Sequence, residues 1–342
     1  MPFGPFTLQW RSPSPNPLPA SPLPPGITRT QIHTPCGPLE LLSAIPANCP
    51  SSQPPLFFAH GGFGCAEIWL AYLAFFSSRG VPCYAISYRG HGKSWYPGFW
   101  RMYFTTRAQI AEDLVAGIKY VENVEKERRG LEDDVRVVLV AHSAGGRIEA
   151  SCYRFWAWTA PIHFPYRLFH PRYVLANTEQ VRAAFFKAST PVPVVKHLEG
   201  LLAPYESMLW PVQMLPRFAT GGDVISSILG WSPRKTISSV KHTDRPIGIS
   251  QRMMVLAAEH DVLCQPGLLL DAAQRYRASF WELVQNKKLD GVSGSDLRIE
   301  NDQGDDWDGV RFRVVPGVAH HLQNEVEWEK GAREILAWME QL

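Results

Sequence analysis

The apolar run Val135 to Val140 passes without a spacer into Ala141-His142-Ser143-Ala144-Gly145-Gly146. A buried strand that breaks at a cluster of small residues, with a helix restarting behind it, leaves a chain few ways to fold. Gly145 lets that helix pack close to the strand, and Ala141 is the smallest substitute for a glycine at the start of the turn. Such a turn forces the residue at its apex into strained backbone and lifts the side chain clear of the sheet. The apex residue is Ser143. By itself the hexapeptide fits equally a serine that caps a helix N-terminus, so the rest of the chain decides.

Along the chain, Ile27 to Ile32 and Leu39 to Ile45 alternate in polarity about Pro35-Cys36-Gly37-Pro38 and predict a hairpin. Leu56 to Ala59 and Val81 to Ile86 predict short buried strands, with a helix over Ala66 to Ser78 between them. Arg107 to Arg128 has helical periodicity through Ile110, Leu114, Ile118 and Val121, and the strand into Ser143 follows. The alternation predicts an α/β fold with a mostly parallel sheet and helices on both faces. It then stops. Cys152 to Pro246 is rich in prolines and aromatics with few strand signals, and predicts an inserted lid over the functional edge of the sheet. Arg252 to Ala258 and Val310 to Val315 resume as strands, Gln265 to Phe280 as a helix, Leu289 to Gly309 as an acidic polar loop, and Glu325 to Leu342 as a closing amphipathic helix. The expected organisation is a Pro-rich extended arm over 1–26, core over 27–151, lid over 152–247 and core again over 248–342.

Composition narrows the partner. With 342 residues, 45% of them hydrophobic, the chain can bury a large core. A net charge of +2 without a basic block on any helix face gives no case for nucleic acid or a membrane surface, which leaves a small molecule. No apolar stretch reaches the ~18 residues a membrane span needs. The N-terminus has no basic and apolar regions of a signal peptide, and the last residues are not a peroxisomal tripeptide. Six cysteines without C-x-x-C spacing predict reduced thiols in a cytoplasmic protein, and no set of side chains has metal-ligand spacing. Aromatics gather between Tyr153 and Trp231, which suits an apolar cavity wall or simply an aromatic core.

Open parallel sheets place their sites at the carboxyl ends of strands, and four such ends here carry chemistry. Behind Leu56 to Ala59 comes His60-Gly61-Gly62-Phe63-Gly64, where the Gly62 N–H, with that of Ala144, is the candidate donor to a developing oxyanion. Asp261 follows Arg252 to Ala258, and His320 follows Val310 to Val315. A serine hydroxyl becomes a nucleophile when an imidazole takes its proton, and that imidazole needs a carboxylate on its far nitrogen. Ser143, Asp261 and His320 are therefore the candidate catalytic residues. Glu259 and His321 are rivals for the last two. His60, Phe63, His142 and Trp210 are candidates for contact with substrate.

The His60-Gly61-Gly62 loop, Tyr88-Arg89-Gly90-His91-Gly92-Lys93-Ser94, the serine turn, Glu259-His260-Asp261 and Gly317-Val318-Ala319-His320 together resemble the α/β-hydrolase superfamily over roughly 27–342. The order Ser143, Asp261, His320 is the order of that fold. More narrowly, the Pro-rich arm and the phrases Ala183-Ala184-Phe185-Phe186 and Pro204-Tyr205-Glu206-Ser207-Met208-Leu209-Trp210-Pro211 resemble fungal α/β-hydrolases, some encoded beside polyketide pathways. The resemblance implies a serine hydrolase without cofactor, acting on an ester, thioester or lactone of a small apolar acyl substrate. An acyl transferase or cyclisation catalyst on the same triad, or an inactive binding relative, are the alternatives. The sequence departs from the pattern in three places. Ala141 stands at the first turn position, and Ser87 stands where an acid usually precedes the Arg-Gly pair. The buried strand expected after the helix behind Ser143 is missing, or is supplied by the short segment Tyr173 to Ala176.

Overall fold

This computed structural model describes residues 22–47, 49, 53–143, 160–213, 219–231, 251–294 and 309–342, and among them are seven strands. They are β1 (Ile27–Ile32), β2 (Leu39–Ala44), β3 (Leu56–Ala59), β4 (Cys83–Ile86), β5 (Val138–Ala141), β6 (Met253–Ala258) and β7 (Val310–Val315). The first five form one sheet in the order β1-β2-β4-β3-β5, and β6 pairs with β7 in a second. β3 runs parallel to β4 and β5, and β6 runs parallel to β7. The β1–β2 hairpin and its pairing with β4 are antiparallel, so the larger sheet is mixed. β5 begins three residues later than the apolar run predicts and continues through Ala141.

The helices are α1 (Leu70–Ser77), entered through a 3-10 turn over Ala66–Trp69, then α2 (Phe99–Tyr103), α3 (Arg107–Arg129), α4 (Ala160–Tyr166), α5 (Thr178–Phe185), α6 (Val192–Leu201), α7 (Leu209–Gln213), α8 (Gly221–Ser227), α9 (Pro266–Gln285) and α10 (Trp328–Met339). α3 begins in a capping box in which Thr106 and Gln109 bond each other's backbone N–H, and it ends at Gly130 in the left-handed region. It covers one face of the sheet, packing Ile110, Leu114 and Val121 against Phe57, Tyr84 and Ile86. Gly117 permits that approach, since a Cβ there would sit 2.5 Å from Ile86 and 2.8 Å from Phe57. α1 and α10 cover the opposite face through Leu73, Phe76, Ala332 and Ile335. Two faces covered by helices is the arrangement a parallel core demands.

Tyr173 to Ala176 is not a strand. Pro171–Val174 forms a 3-10 turn, because the His170 side chain accepts the Arg172 N–H and Pro171 opens the turn without a donor of its own. Val174 and Leu175 are buried in the same apolar cluster as α1. Among the described residues no strand lies between β5 and β6 in sequence, and β3 is the only strand paired with β5. The helix expected directly behind Ser143 lies outside the described residues, as does the acidic stretch 295–308.

The described parts of 152–247 pack in two directions. Val181, Ala184 and Phe185 of α5, with Val195 and Leu198 of α6, join the α1 cluster. Ile225 of α8 joins Ala273 and Phe280 of α9 in a separate cluster beside β6 and β7. Described aromatics of this region pack on one another or on the core: Tyr205 meets Phe99 and His170, and Phe164 meets Tyr173. These contacts fit the aromatic-core reading of that stretch.

Beside Ser87, where an acid is expected, stands a carboxylate from the neighbouring strand. Glu40 on β2 is fully buried. Its Oε2 accepts the Ser87 hydroxyl at 2.7 Å and the Lys93 N–H at 2.8 Å, while Oε1 accepts Arg29 Nε at 2.6 Å. Ser87 Oγ in turn accepts the Ala66 N–H at 2.8 Å, tying the turn after β4 to the start of the α1 segment. A buried carboxylate with a charged partner and two further donors satisfies the rule that isolated buried charge is costly.

Candidate active site

Ser143 stands two residues beyond β5. The His142 N–H still bonds the Ala59 carbonyl at 3.0 Å, prolonging the β3–β5 ladder by one residue. The next residue leaves the strand abruptly, with Ser143 at φ 52. A left-handed serine is the strain the small-residue turn predicts, and it persists only where surrounding structure holds it.

The hydroxyl meets its predicted partners. Ser143 Oγ lies 3.0 Å from His320 Nε2, and His320 Nδ1 lies 2.8 Å from Asp261 Oδ2. Three loops, after β5, β6 and β7, bring these groups together. Asp261 Oδ1 accepts the N–H groups of Leu263 and Cys264, each at 2.8 Å, so the carboxylate is fixed by its own loop before it meets the imidazole. Burial pushes the Asp261 pKa up, but His320 and those two N–H groups outweigh it and leave it below the usual value. Burial disfavours the His320 imidazolium, and the Asp261 carboxylate overcomes that and raises its pKa.

The rivals occupy other posts. Glu259 is half exposed, and its Oε2 accepts the Gly317 N–H at 2.7 Å, bracing the loop that carries His320. The His321 N–H bonds the Phe185 carbonyl, and its Nδ1 lies near the amides of Gln323 and Asn324. Burial and the neighbouring His142 and His320 hold His321 neutral, well below its ordinary pKa. His142 donates from Nε2 to the His320 carbonyl at 2.9 Å, steadying the backbone of the candidate base. Burial lowers its pKa to about 3, so it stays uncharged beside His320.

The loop after β3 is built with equal care. His60 donates from Nδ1 to the Gly61 carbonyl at 2.7 Å and accepts the Tyr88 N–H on Nε2 at 3.2 Å. Both nitrogens are occupied and burial lowers the pKa to about 3, so His60 acts as a neutral brace for the glycines. The Gly62 N–H has no acceptor among the described residues. Ala144, its expected partner in holding an oxyanion, lies outside them. One cavity is lined by His60, His142, Ser143, Trp210 and His320, together with the aromatics Trp69 and Tyr88. Phe63 is not on that wall; its side chain packs against the α1 cluster.

Two residues near the triad carried no catalytic signal in the sequence. Glu206 is buried in the segment before α7, where its Oε2 lies 3.1 Å from His91 Nε2 and its Oε1 accepts Trp210 Nε1 at 2.9 Å. Only the fold brings that segment to His91, and the one hint was an acid within an apolar phrase. Cys264 brings its sulfur into a set with Asp261 and His320 whose donor atoms lie within 4.8 Å of one another. Two of those three groups are already bonded to each other, so the set reads as a triad with a neighbouring thiol. Cys36, Cys65 and Cys83 are free thiols, and Cys152 lies outside the described residues. No helix among the described residues is long and apolar enough to cross a membrane.

Residues 56–325, more than half of the chain, match the model of the alpha/beta hydrolase family. No curated protein matches this sequence. Solved structures share the fold at low identity. A thermophilic esterase from Thermogutta terrifontis is 15% identical with a TM-score of 0.53, over 92% of this chain and 98% of that one. The enol-lactonase from Burkholderia xenovorans LB400 is 11% identical with a TM-score of 0.52, over 91% of this chain and 100% of that one. At such identities the likeness establishes the fold alone.

Proposed function

The chain belongs to the alpha/beta hydrolase family, and from that premise we propose that it is a carboxylic ester hydrolase that uses Ser143, His320 and Asp261 as a catalytic triad. The single observation behind the triad is the continuous chain of hydrogen bonds from Ser143 Oγ through both nitrogens of His320 to Asp261. In the proposed reaction His320 Nε2 takes the Ser143 proton as Oγ bonds to the acyl carbon. The negative charge moves to the carbonyl oxygen, where the N–H groups of Gly62 and Ala144 receive it. His320 returns the proton to the departing alcohol or thiol, leaving an acyl-serine. Water, deprotonated by the same imidazole, releases the acid and restores the hydroxyl. Asp261 holds the Nδ1–H tautomer and stabilises each imidazolium.

The substrate we propose is a small molecule with an apolar acyl group. The aromatic lining from Trp69, Tyr88 and Trp210 and the stacking of Phe185 on His320 support it. The likeness of the 183–186 and 204–211 phrases to fungal α/β-hydrolases points more narrowly to a polyketide-derived ester, thioester or lactone.

Covalent labelling with a fluorophosphonate tests the triad, and turnover of p-nitrophenyl esters of increasing acyl length tests the substrate class. Wild type that labels no more than Ser143→Ala defeats the hydrolase reading. Rates that fall as the acyl chain grows defeat the apolar substrate.

A further inference from the structure

Phe63 is gripped through both of its backbone polar groups by one short stretch of the 152–247 region. Its carbonyl oxygen accepts the Ala203 N–H at 2.8 Å, and its own N–H donates to Glu206 Oε2 at 2.8 Å. Its φ of 61 lies in the left-handed region, unfavourable for a residue with a side chain, so this conformation needs outside support. The bond to Glu206 fixes the plane of the Gly62–Phe63 peptide. The adjoining Gly61–Gly62 peptide, which carries the Gly62 N–H, meets it at the two soft dihedrals of Gly62. Its carbonyl is held from the other side by His60 Nδ1 at 2.7 Å and the Gly64 N–H at 3.2 Å, so with Phe63 bound to Glu206 the peptides on both sides of Gly62 are fixed.

Glu206 is itself firmly held. It is 4% exposed and bonds His91 Nε2, Trp210 Nε1 and the Ser207 N–H besides Phe63. The adjacent residues are anchored to the end of α2 and the loop behind it: the Ser207 hydroxyl donates to the Thr105 carbonyl at 2.6 Å, and the Met208 N–H to the Tyr103 carbonyl at 2.9 Å. Glu206 also stands beside the oxyanion loop, since a Cβ on Gly62 would lie 3.7 Å from its Oε2. An unpaired carboxylate there would oppose an oxyanion, and His91 is placed to neutralise it.

We propose that Glu206 is a positioning residue for the oxyanion loop: by binding the Phe63 N–H it holds the loop so that the Gly62 N–H faces the oxyanion. This role rests on the ester-hydrolase reading. It predicts an effect on the tetrahedral intermediate that is absent from the bound ester.

The test compares wild type, Glu206→Gln and Ser207→Ala in p-nitrophenyl ester kinetics. It also measures inhibition by an alkyl trifluoromethyl ketone, which adds to the serine as a tetrahedral oxyanion, and by the methyl ketone of the same chain length. Losing one oxyanion donor costs about 10²-fold or more in kcat, and a misplaced one should approach that. For Glu206→Gln we therefore expect kcat to fall by about 30-fold or more with KM changed less than about threefold. The trifluoromethyl ketone should weaken in proportion, and the methyl ketone should not. Ser207→Ala, which loosens the same segment without touching Phe63, should lower Tm and leave the ratio of the two ketone affinities unchanged. If Glu206→Gln does not fold by circular dichroism, Glu206→Asp, which withdraws the carboxylate from the Phe63 N–H, carries the same readout. Parallel weakening of both ketones, or an unchanged kcat, overturns the positioning role alone, provided that wild type turns over esters. Wild type that neither turns over esters nor binds the trifluoromethyl ketone removes the hydrolase reading, and this role with it.

Discussion

Ser143 Oγ and His320 Nε2 lie 3.0 Å apart although 177 positions separate them in the chain. Ser143→Ala should abolish fluorophosphonate labelling and lower ester turnover by about 10³-fold or more, with Tm equal to or above that of wild type. The stability expectation follows from the strained φ of 52, which is independent of the hydroxyl. Labelling gels and a thermal melt check both halves.

The Asp261 carboxylate raises the His320 pKa against the opposing effect of burial. The base works when neutral, so wild-type activity is gained as pH rises through that elevated value. Asp261→Asn removes the charge, and the rising limb of kcat/KM should move to lower pH while the plateau falls by about 10³- to 10⁴-fold. A pH–rate profile of the two proteins checks it, and a limb that stays in place refutes the assignment of Asp261.

Glu206 is pulled below its ordinary 4.5 to about 2 despite burial, with His91 as the main cause; His91 is raised above 6.5 by the same pair. A depressed acid contributes stability above its unfolded pKa and loses it as pH falls. A raised histidine contributes below its unfolded pKa and loses it as pH rises through its folded value. The pair is therefore strongest between about pH 4.5 and 6.5. The Tm difference between wild type and Glu206→Gln should be widest in that window and should shrink toward pH 2.

Arg89 and Asp113 form a buried fork, with Nη2 to Oδ1 at 2.7 Å and Nε to Oδ2 at 2.8 Å, that fastens the turn after β4 to α3. Asp113→Ala leaves the buried guanidinium with the exposed Glu112 at 3.5 Å and the Trp95 ring as its partners among the described residues. Urea denaturation should show a loss of about 3–5 kcal/mol.

Glu40 and Ser87 predict a coupled pair. Ser87→Asp alone places two carboxylates where the Oγ–Oε2 distance is 2.7 Å and should destabilise the protein. In a Glu40→Gln background the same change should cost less, by about 1–3 kcal/mol of coupling in a double-mutant cycle. Additive effects would show that Glu40 does not stand in for the missing acid.

The sequence by itself determined the local pieces, because each depends on neighbours a few residues away. Small residues after Val140 imply a sharp turn at Ser143, and the structure has it at φ 52. The hairpin of β1 and β2 and the strand Val310–Val315 fall where alternation and turn residues put them. The tertiary structure decided what depends on residues meeting from distant places. Reading Tyr173 to Ala176 as a strand fails locally, since His170 and Pro171 just before it start a 3-10 helix that takes in Tyr173 and Val174; what distance decided is that Val174 and Leu175 pack into the α1 cluster. The sequence already preferred Asp261 to Glu259 and His320 to His321; the structure adds that His320 faces Ser143 and Asp261 faces His320. Adjacent residues diverge in direction, and only the packing of three loops fixes the angle. Glu206 belongs to the tertiary level: its partners Phe63 and His91 lie 143 and 115 positions away, and their bonds make that buried carboxylate a fixed point.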